Sequence, residues 1–233
     1  MESGKRNRQP HGPPGAISDG LKDSEGKRVG GKLVIISGPS GVGKNTVVER
    51  VLRAAPGLVE RSVTATTRPP RPGEKHGVDY YFLSPEQFAR CRAEGAFLEC
   101  FQVFGSGHWY GTLAADVAER LKKGIWVLLA IDVQGALTLV ERFSEAVTIF
   151  LLPPSPEELQ RRLRQRGTET EGAIQDRLAR AQKELGFASR YRYQVVNDDP
   201  DRAAQEILWI LRNSPESSSS LETKKIPGGP KGV

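Results

Sequence analysis

Four short runs of consecutive apolar residues along the chain predict buried strands. They lie at residues 33–36, 125–131, 147–152 and 193–196. Runs that are apolar on both faces are typical of parallel strands covered on both sides. Helical segments separate the runs, so the alternation predicts an α/β fold with a parallel sheet between two layers of helices.

Capping sequences predict where several helices begin. Residues 84–87 (Ser-Pro-Glu-Gln) and 155–158 (Ser-Pro-Glu-Glu) each combine a serine cap, a first-turn proline and an acid or amide three positions after the serine. Asp199-Pro200 opens the last helix, and another helix is expected at about residues 44–53. The last helix should bury one apolar stripe. Its members are Ala203, Ile207, Ile210 and Leu211.

Residues 63–112 break the alternation. Thr, Arg, Pro, Gly and Tyr are frequent there, and one short helix is expected near residues 85–94. This composition predicts an inserted, partly β subdomain that presents side chains instead of filling the core. The two ends of the chain, residues 1–30 and 214–233, are polar and offer little to bury, which predicts disordered tails.

Composition and charge narrow the possible functions. The chain has 233 residues, 37% of them hydrophobic, and no apolar run approaches the roughly 20 residues of a membrane span. The first residues lack the apolar segment of a secretory signal, and Cys91 and Cys100 lack metal-site spacing, so we expect a cytoplasmic protein with reduced thiols. The chain has a formal charge of +6, but no nucleic-acid-binding motif accompanies this charge. Neither nucleic acid nor a membrane is therefore expected as a partner.

A phosphate-binding loop is the first chemical motif. Residues 38–47 read GPSGVGKNTV, with Gly38-x-x-x-x-Gly43-Lys44 between a predicted strand and a predicted helix. The glycines let backbone N–H groups face phosphate oxygens at the positive end of the helix, and Lys44 adds a charge. Taken alone, the motif could also be a Gly-rich turn without a ligand. The candidate ATP-binding residues of the loop are Gly38, Pro39, Ser40, Gly41, Val42, Gly43, Lys44, Asn45 and Thr46.

Together with three further motifs, the loop resembles the guanylate kinase family. The motifs are GPSGVGKN, SVTATTRPPRPGEKHGVDYYF at residues 62–82, IDVQG and RGTE, and the resemblance covers about residues 32–212. It implies an ATP-dependent enzyme that phosphorylates GMP and dGMP, uses Mg²⁺ with ATP, and acts as a monomer or homodimer. It also implies a P-loop NTPase-type kinase domain at residues 31–213. The predicted parts are a core (31–62, 113–155 and 186–213), a GMP-binding insertion (63–112) and a helical lid (about 156–185).

The resemblance assigns the acceptor side to the insertion. Arg68 and Arg71 match the arginines that bind the GMP phosphate, since the guanidinium fork suits two phosphate oxygens. Glu99 matches the glutamate that accepts the two guanine donors. Asp132 matches an aspartate near the guanine amino group, but it also resembles the magnesium residue that ends a Walker-B strand. The predicted hydroxyl contacts are Tyr80 and Tyr110 to the phosphate and Thr64 and Thr112 to the base.

The resemblance assigns catalysis to Lys44 and to arginines of the lid. Arg162, Arg166 and Arg177 match lid arginines that close over ATP, and phosphoryl transfer depends mostly on positioning and charge neutralisation. Asn197 matches a position on the adenine side.

Three departures from the family pattern affect these expectations. Ala130 stands where an acid is expected, and the spacing from Glu99 to Tyr110 is two residues longer than expected. Asn45 replaces the Ser or Thr whose hydroxyl binds magnesium in such loops. No side chain is therefore predicted to ligate the ion directly, and Asn45 and Asp132 are candidates to contact its water shell.

Two alternatives remain open at this point. One is a guanylate-kinase-like module that binds proteins and has lost catalysis, although the loop glycines, Lys44 and the lid arginines are all present. The other is a kinase for a different nucleotide, which the pairing of a carboxylate with hydroxyls for guanine disfavours.

Overall fold

A computed structural model of the chain describes residues 30–102, 107–164 and 171–214. The predicted tails, most of the longer loop before Trp109, and Arg166 lie outside these residues. The described strands are β1 (Leu33–Ser37), β2 (Val59–Arg61), β3 (Thr64–Thr66), β4 (Tyr81–Phe82), β5 (Phe97–Gln102), β6 (Trp109–Leu113), β7 (Trp126–Ala130), β8 (Val147–Leu152) and β9 (Tyr193–Val196). The described helices are α1 (Lys44–Ala54), α2 (Pro85–Ala93), α3 (Ala114–Lys122), α4 (Val133–Arg142), α5 (Pro156–Arg164), α6 (Glu171–Leu185) and α7 (Pro200–Asn213).

The core is a parallel sheet with the strand order β2-β7-β1-β8-β9. Alternate residues of β1 face opposite layers: Val34 and Ile36 pack with α1 and α7, whereas Leu33 and Ile35 pack with α3 and α4. Since both faces of the sheet are covered, its inner strands are apolar on both sides. The predicted α/β class and the four predicted strands are confirmed.

The insertion forms a second sheet with the order β4-β3-β6-β5, in which β3, β6 and β5 are antiparallel. One face of this sheet is covered by α2, where the rings of Phe88 and Phe97 stack with centroids 4.5 Å apart. Because side chains alternate along a strand, the intervening residues of β3, β5 and β6 point to the opposite face. That face lies toward the start of α4.

Helices α5 and α6 pack as a hairpin around Leu159, Leu163 and Ala181. This hairpin lies against the phosphate loop, since a Cβ added at Gly41 would come within 2.8 Å of the Leu163 side chain. Among the described residues, no helix combines the length and the apolar character that crossing a membrane requires.

The predicted helix caps are present. Ser84 and Gln87 form a full capping box on α2, the Ser155 hydroxyl accepts the N–H of Glu158, and Asp199 caps α7. The predicted inward stripe of α7 is buried.

Candidate active site

The phosphate loop joins β1 to α1 and is braced from outside. The Asn197 amide donates to the carbonyl of Val42 at 2.6 Å, and Arg162 donates to the same oxygen at 3.2 Å. Gly43 has φ +90°, and a Cβ there would lie 2.6 Å from the Asn197 amide nitrogen. Only glycine reconciles this backbone conformation with so close a neighbour. Asn197 and Arg162 therefore shape the loop through its backbone.

Lys44 begins α1 with its ammonium turned into the site. It donates to the carbonyl of Ile131 at 2.7 Å and to that of Gly38 at 3.3 Å. Burial lowers the pKa of Lys44 to about 8, and the charges of Asp132 and Glu184 oppose that shift. The ammonium thus lies at the carboxyl ends of β1 and β7, where the charges of Asp132 and Glu184 act on it.

The lid hairpin contacts the loop at Ser40. Arg177 of α6 donates to the Ser40 hydroxyl at 3.1 Å, and the Ser40 N–H donates to the Glu184 carboxylate at 3.2 Å. Arg162 of α5 pairs with Glu158 at 2.7 Å while it contacts the loop carbonyl. Two of the three predicted lid arginines therefore reach the loop, and the third, Arg166, lies outside the described residues.

The guanine-binding candidates form one row across three strands. Thr64 pairs with Thr112, and Thr112 pairs with Glu99, so all three side chains share a face of the sheet. The Thr112 hydroxyl donates to Oε1 of Glu99 at 2.7 Å. The other carboxylate oxygen, Oε2, is buried and has no hydrogen-bond partner among the described residues.

Glu99 faces the first turn of α4. A Cβ added at Gly135 would lie 2.9 Å from Oε2 of Glu99 and 3.6 Å from Oδ1 of Asp132. Asp132 caps α4, because its Oδ1 accepts the Gly135 N–H at 3.0 Å. Burial raises the pKa of Glu99 to about 7, against the Thr112 hydrogen bond, and the charge of Asp132 adds to the rise. Asp132 is thus an electrostatic neighbour of both Glu99 and Lys44.

The phosphate-binding candidates of the insertion cluster around Arg68. Its guanidinium lies 5.2 Å from the ring centre of Tyr80, and that ring is 6.2 Å from the ring of Tyr110. Glu74 holds Arg68 through two hydrogen bonds of 2.8 and 2.9 Å and accepts the Arg71 N–H at 2.7 Å. Arg71 itself is exposed. Tyr110 lies two residues, roughly 7 Å, along β6 from Thr112.

Four further positions were singled out in the sequence. Asn45 and Thr46 lie exposed in the first turn of α1. Ala130 ends β7 and packs partly against the core. Trp109 packs toward α2, so the longer loop leaves Tyr110 on the open face.

Sequence reasoning missed Glu74 and Glu184. Glu74 follows Arg71 by three positions in a Pro-rich turn, a local signal for a carboxylate that pairs with the arginines. Glu184 is 144 positions from Ser40. Its one sequence signal is an acid in the last turn of a helix, where the helix dipole disfavours negative charge.

Comparison with known proteins identifies the family. The guanylate kinase family model matches residues 30–214. A guanylate kinase of Rhodopirellula baltica is 52% identical over 182 residues, covering 78% of this chain and 87% of that protein. One of Caldanaerobacter subterraneus subsp. tengcongensis is 47% identical over 181 residues, with coverages of 78% and 86%. The crystal structure of guanylate kinase from Anaplasma phagocytophilum matches with a TM-score of 0.62 and 34% identity, covering 82% of this chain and 89% of that one. The chain therefore belongs to the guanylate kinase family.

Proposed function

We propose that this enzyme binds the guanine of GMP at Glu99 and transfers the γ-phosphoryl group of ATP to a phosphate oxygen of GMP beside Lys44, which leaves ADP and GDP. The observation that carries the proposal is the buried Oε2 of Glu99, which has no hydrogen-bond partner among the described residues. Buried polar atoms without partners are rare because they cost free energy. A base that offers two adjacent donors, as guanine does at N1 and its amino group, would satisfy this carboxylate.

The distance along β6 between the proposed base-binding residues and the proposed phosphate-binding residues supports one orientation of GMP. With the base at Glu99, Thr64 and Thr112, the GMP phosphate would extend along β6 toward Tyr110, Tyr80 and the two arginines. Arg68 already lies against Tyr80 in its pairing with Glu74. We propose that the GMP phosphate takes over part of this pairing, with Arg71 as the second arginine.

We propose that ATP places its phosphates on the N–H groups of the loop, with the base toward Asn197. Lys44 and the arginines 162, 166 and 177 would neutralise charge as the phosphoryl group moves between nucleotides. Asp132 would lie between donor and acceptor, which fits its influence on the pKa of both Lys44 and Glu99.

The residues at the loop fit a magnesium ion held mainly by phosphates and water. Asp132 uses Oδ1 for its helix cap, which leaves Oδ2 for a hydrated ion, and Asn45 offers a neutral amide oxygen at the start of α1. Oxygen donors of this kind suit magnesium. The ion would neutralise negative charge on the ATP phosphates.

The same division of the chain into core, insertion and lid is proposed with the boundaries expected from the sequence. We also propose that the enzyme works as a monomer or homodimer on free nucleotides in the cytoplasm, with no nucleic acid or membrane as partner. The free thiols of Cys91 and Cys100 fit a reducing compartment.

A substrate panel tests the proposed site. ADP release is measured by a coupled assay with GMP, dGMP, AMP, CMP and UMP as acceptors. GMP and dGMP should react, and AMP should be slower by about 10⁴ because adenine N1 presents a lone pair to Glu99. Comparable turnover of AMP and GMP would contradict the role of Glu99. Absence of turnover with every acceptor would favour the protein-binding module.

A further inference from the structure

The carboxylate of Glu184 lies where the phosphate loop is built to receive an anion. Its Oε2 accepts the N–H of Ser40 at 3.2 Å, and its charge acts on the ammonium of Lys44. Backbone N–H groups in such loops bind phosphate oxygens. A backbone donor of the loop is therefore bound to a negative group of the protein itself.

Helix α6 holds Ser40 by two contacts of opposite polarity. Arg177 and Glu184 are seven residues apart, so they lie about two turns apart on the same side of the helix. Arg177 donates to the Ser40 hydroxyl at 3.1 Å, and Glu184 accepts from the Ser40 backbone. The lid is thus fastened to one residue of the loop through both its hydroxyl and its backbone N–H.

A carboxylate at this position is unfavourable for the helix itself. Glu184 lies in the last turn of α6, where the helix dipole disfavours a negative charge. It is also partly buried, and burial raises the pKa of its carboxyl against the Ser40 N–H and the charge of Lys44. The Ser40 N–H, the Lys44 ammonium and the charge of Arg180 on the same helix offset these costs, and the first two groups belong to the phosphate loop.

We propose that Glu184 is an internal competitor of the ATP phosphates, which occupies the Ser40 N–H in the free enzyme and is displaced when ATP binds. The inference rests on the proposed placement of the ATP phosphates in the loop. Displacement removes the Glu184 contact while Arg177 remains beside Ser40.

Calorimetric titration of full-length Glu184→Gln tests the competition. The glutamine keeps the shape of the side chain but gives up the charge, and a neutral hydrogen bond is roughly half as strong as a charge-assisted one. ATP without magnesium, and inorganic tripolyphosphate as a base-free probe, should each bind about three- to tenfold more tightly than to the wild type. GMP affinity should not change.

The matched control is Asp176→Asn, which removes one negative charge from an exposed position of the same helix. This variant should change the affinity for ATP less than twofold. A similar gain in both variants would mean that the effect is one of net charge, and would overturn the proposal. Unchanged or weaker binding of ATP to Glu184→Gln would overturn it as well.

Two further variants keep the outcomes distinct. Glu184→Asp retains the charge, but its shorter side chain should not reach the Ser40 N–H. This variant should therefore also bind tripolyphosphate more tightly than the wild type. It is used in place of Glu184→Gln if the glutamine variant does not fold. Lys44→Ala should bind ATP more weakly than the wild type. If Lys44→Ala binds ATP normally, the proposed ATP site is wrong. If Lys44→Ala is weakened while both Glu184 variants match the wild type, only the competition is wrong.

Discussion

Apart from Lys44, the candidate binding groups of the phosphate loop belong to the backbone, whereas those of the proposed acceptor site belong to side chains. The loop keeps its shape through donors outside it, since Asn197 and Arg162 both hold the Val42 carbonyl. In the proposed acceptor site Arg68 is paired with Glu74, and one carboxylate oxygen of Glu99 has no partner among the described residues. The loop is thus held by contacts within the protein, whereas we expect GMP to complete the acceptor site.

Because of this difference, we expect the phosphate loop to control the rate of transfer and the acceptor site to control which nucleotide is phosphorylated. A backbone site accepts any phosphate chain, so its contribution is charge neutralisation at the transferred group. A buried carboxylate without partners favours the acceptor that supplies the right donors and penalises one that does not. Substitutions on the two sides should therefore affect different kinetic constants.

Lys44→Ala should have the largest effect, and it should fall on kcat. The variant removes a full charge beside the transferred group, and we expect kcat to fall by about 10²–10³. The KM for GMP should change little, because Glu99 and the insertion are untouched. Steady-state kinetics in which the concentrations of ATP and GMP are both varied give kcat and the KM for GMP. Lys122→Ala, an exposed lysine of α3, is the matched control and should behave as wild type.

Glu99→Gln should have the next largest effect, and it should fall on GMP. The amide turns one donor toward a guanine donor, so we expect kcat/KM for GMP to fall by roughly 10². The KM for ATP should stay within twofold. If kcat/KM falls equally for GMP and for ATP, Glu99 maintains the structure of the cleft and does not bind the guanine base.

The pKa of Glu99 makes the acceptor side sensitive to pH. Guanine donors require the ionised carboxylate, and burial raises this pKa to about 7. The KM for GMP should therefore be about tenfold higher at pH 6 than at pH 8. Glu99→Gln should keep only the dependence that comes from titration of the GMP phosphate. A pH profile of the KM for GMP that is identical in wild type and variant would contradict the assignment.

The raised pKa of Glu99 should also make the stability of the protein depend on pH: a rise in pH should favour GMP binding but lower the free energy of unfolding. The folded protein holds the Glu99 proton more tightly than an unfolded chain, where the pKa is 4.5. The ligand-free protein should lose on the order of 2–3 kcal/mol as the pH rises from about 4.5 to about 7. Urea denaturation of wild type and Glu99→Gln isolates this contribution, because the variant lacks it.

The elements of the fold could be predicted where consecutive residues show the apolar pattern of a buried strand or helix. The strand expected at 147–152 has those bounds, and the helix expected at 44–53 ends one residue later. Strand β2 was missed because two of its three residues, Glu60 and Arg61, are charged, so it forms no apolar run. Strand β9 also lies at an edge of the sheet, but its residues Tyr193, Val195 and Val196 form a run that the sequence pattern detects.

The site could be predicted where the motifs are contiguous and not where it depends on packing between distant segments. The loop residues follow one another, so their grouping is evident. That Glu99 lies against the first turn of α4, and Glu184 against Ser40, depends on how the insertion and lid fold onto the core. Nothing in the local sequence around Glu99 indicates that one of its oxygens lacks a partner.

Asn197→Asp tests whether the loop is held from outside. The substitution places a carboxylate oxygen against the carbonyl of Val42, in a position where Asn197 is 1% exposed. An uncompensated buried charge should cost about 3 kcal/mol of unfolding free energy. Asn197→Ala should cost about 1 kcal/mol, because Arg162 still donates to Val42. Urea denaturation measures both, with the exposed Asn213→Ala as control. Equal losses in the two variants would show that the Val42 contact does not shape the loop.

Asn45 should give the smallest effect, because its side chain is neutral and exposed at the start of α1. Magnesium usually keeps several waters and takes its other ligands from substrate phosphates. Asn45→Ala should therefore raise the magnesium concentration needed for half-maximal rate and lower kcat about tenfold or less, roughly 1.4 kcal/mol. Asn45→Thr should supply a hydroxyl ligand and lower that magnesium requirement. The measurement is kcat against free magnesium for both variants beside Lys44→Ala. If Asn45→Ala is as damaging as Lys44→Ala at saturating magnesium, a second side chain of the loop acts in catalysis directly beside Lys44, and the contrast between a backbone site and a side-chain site no longer holds.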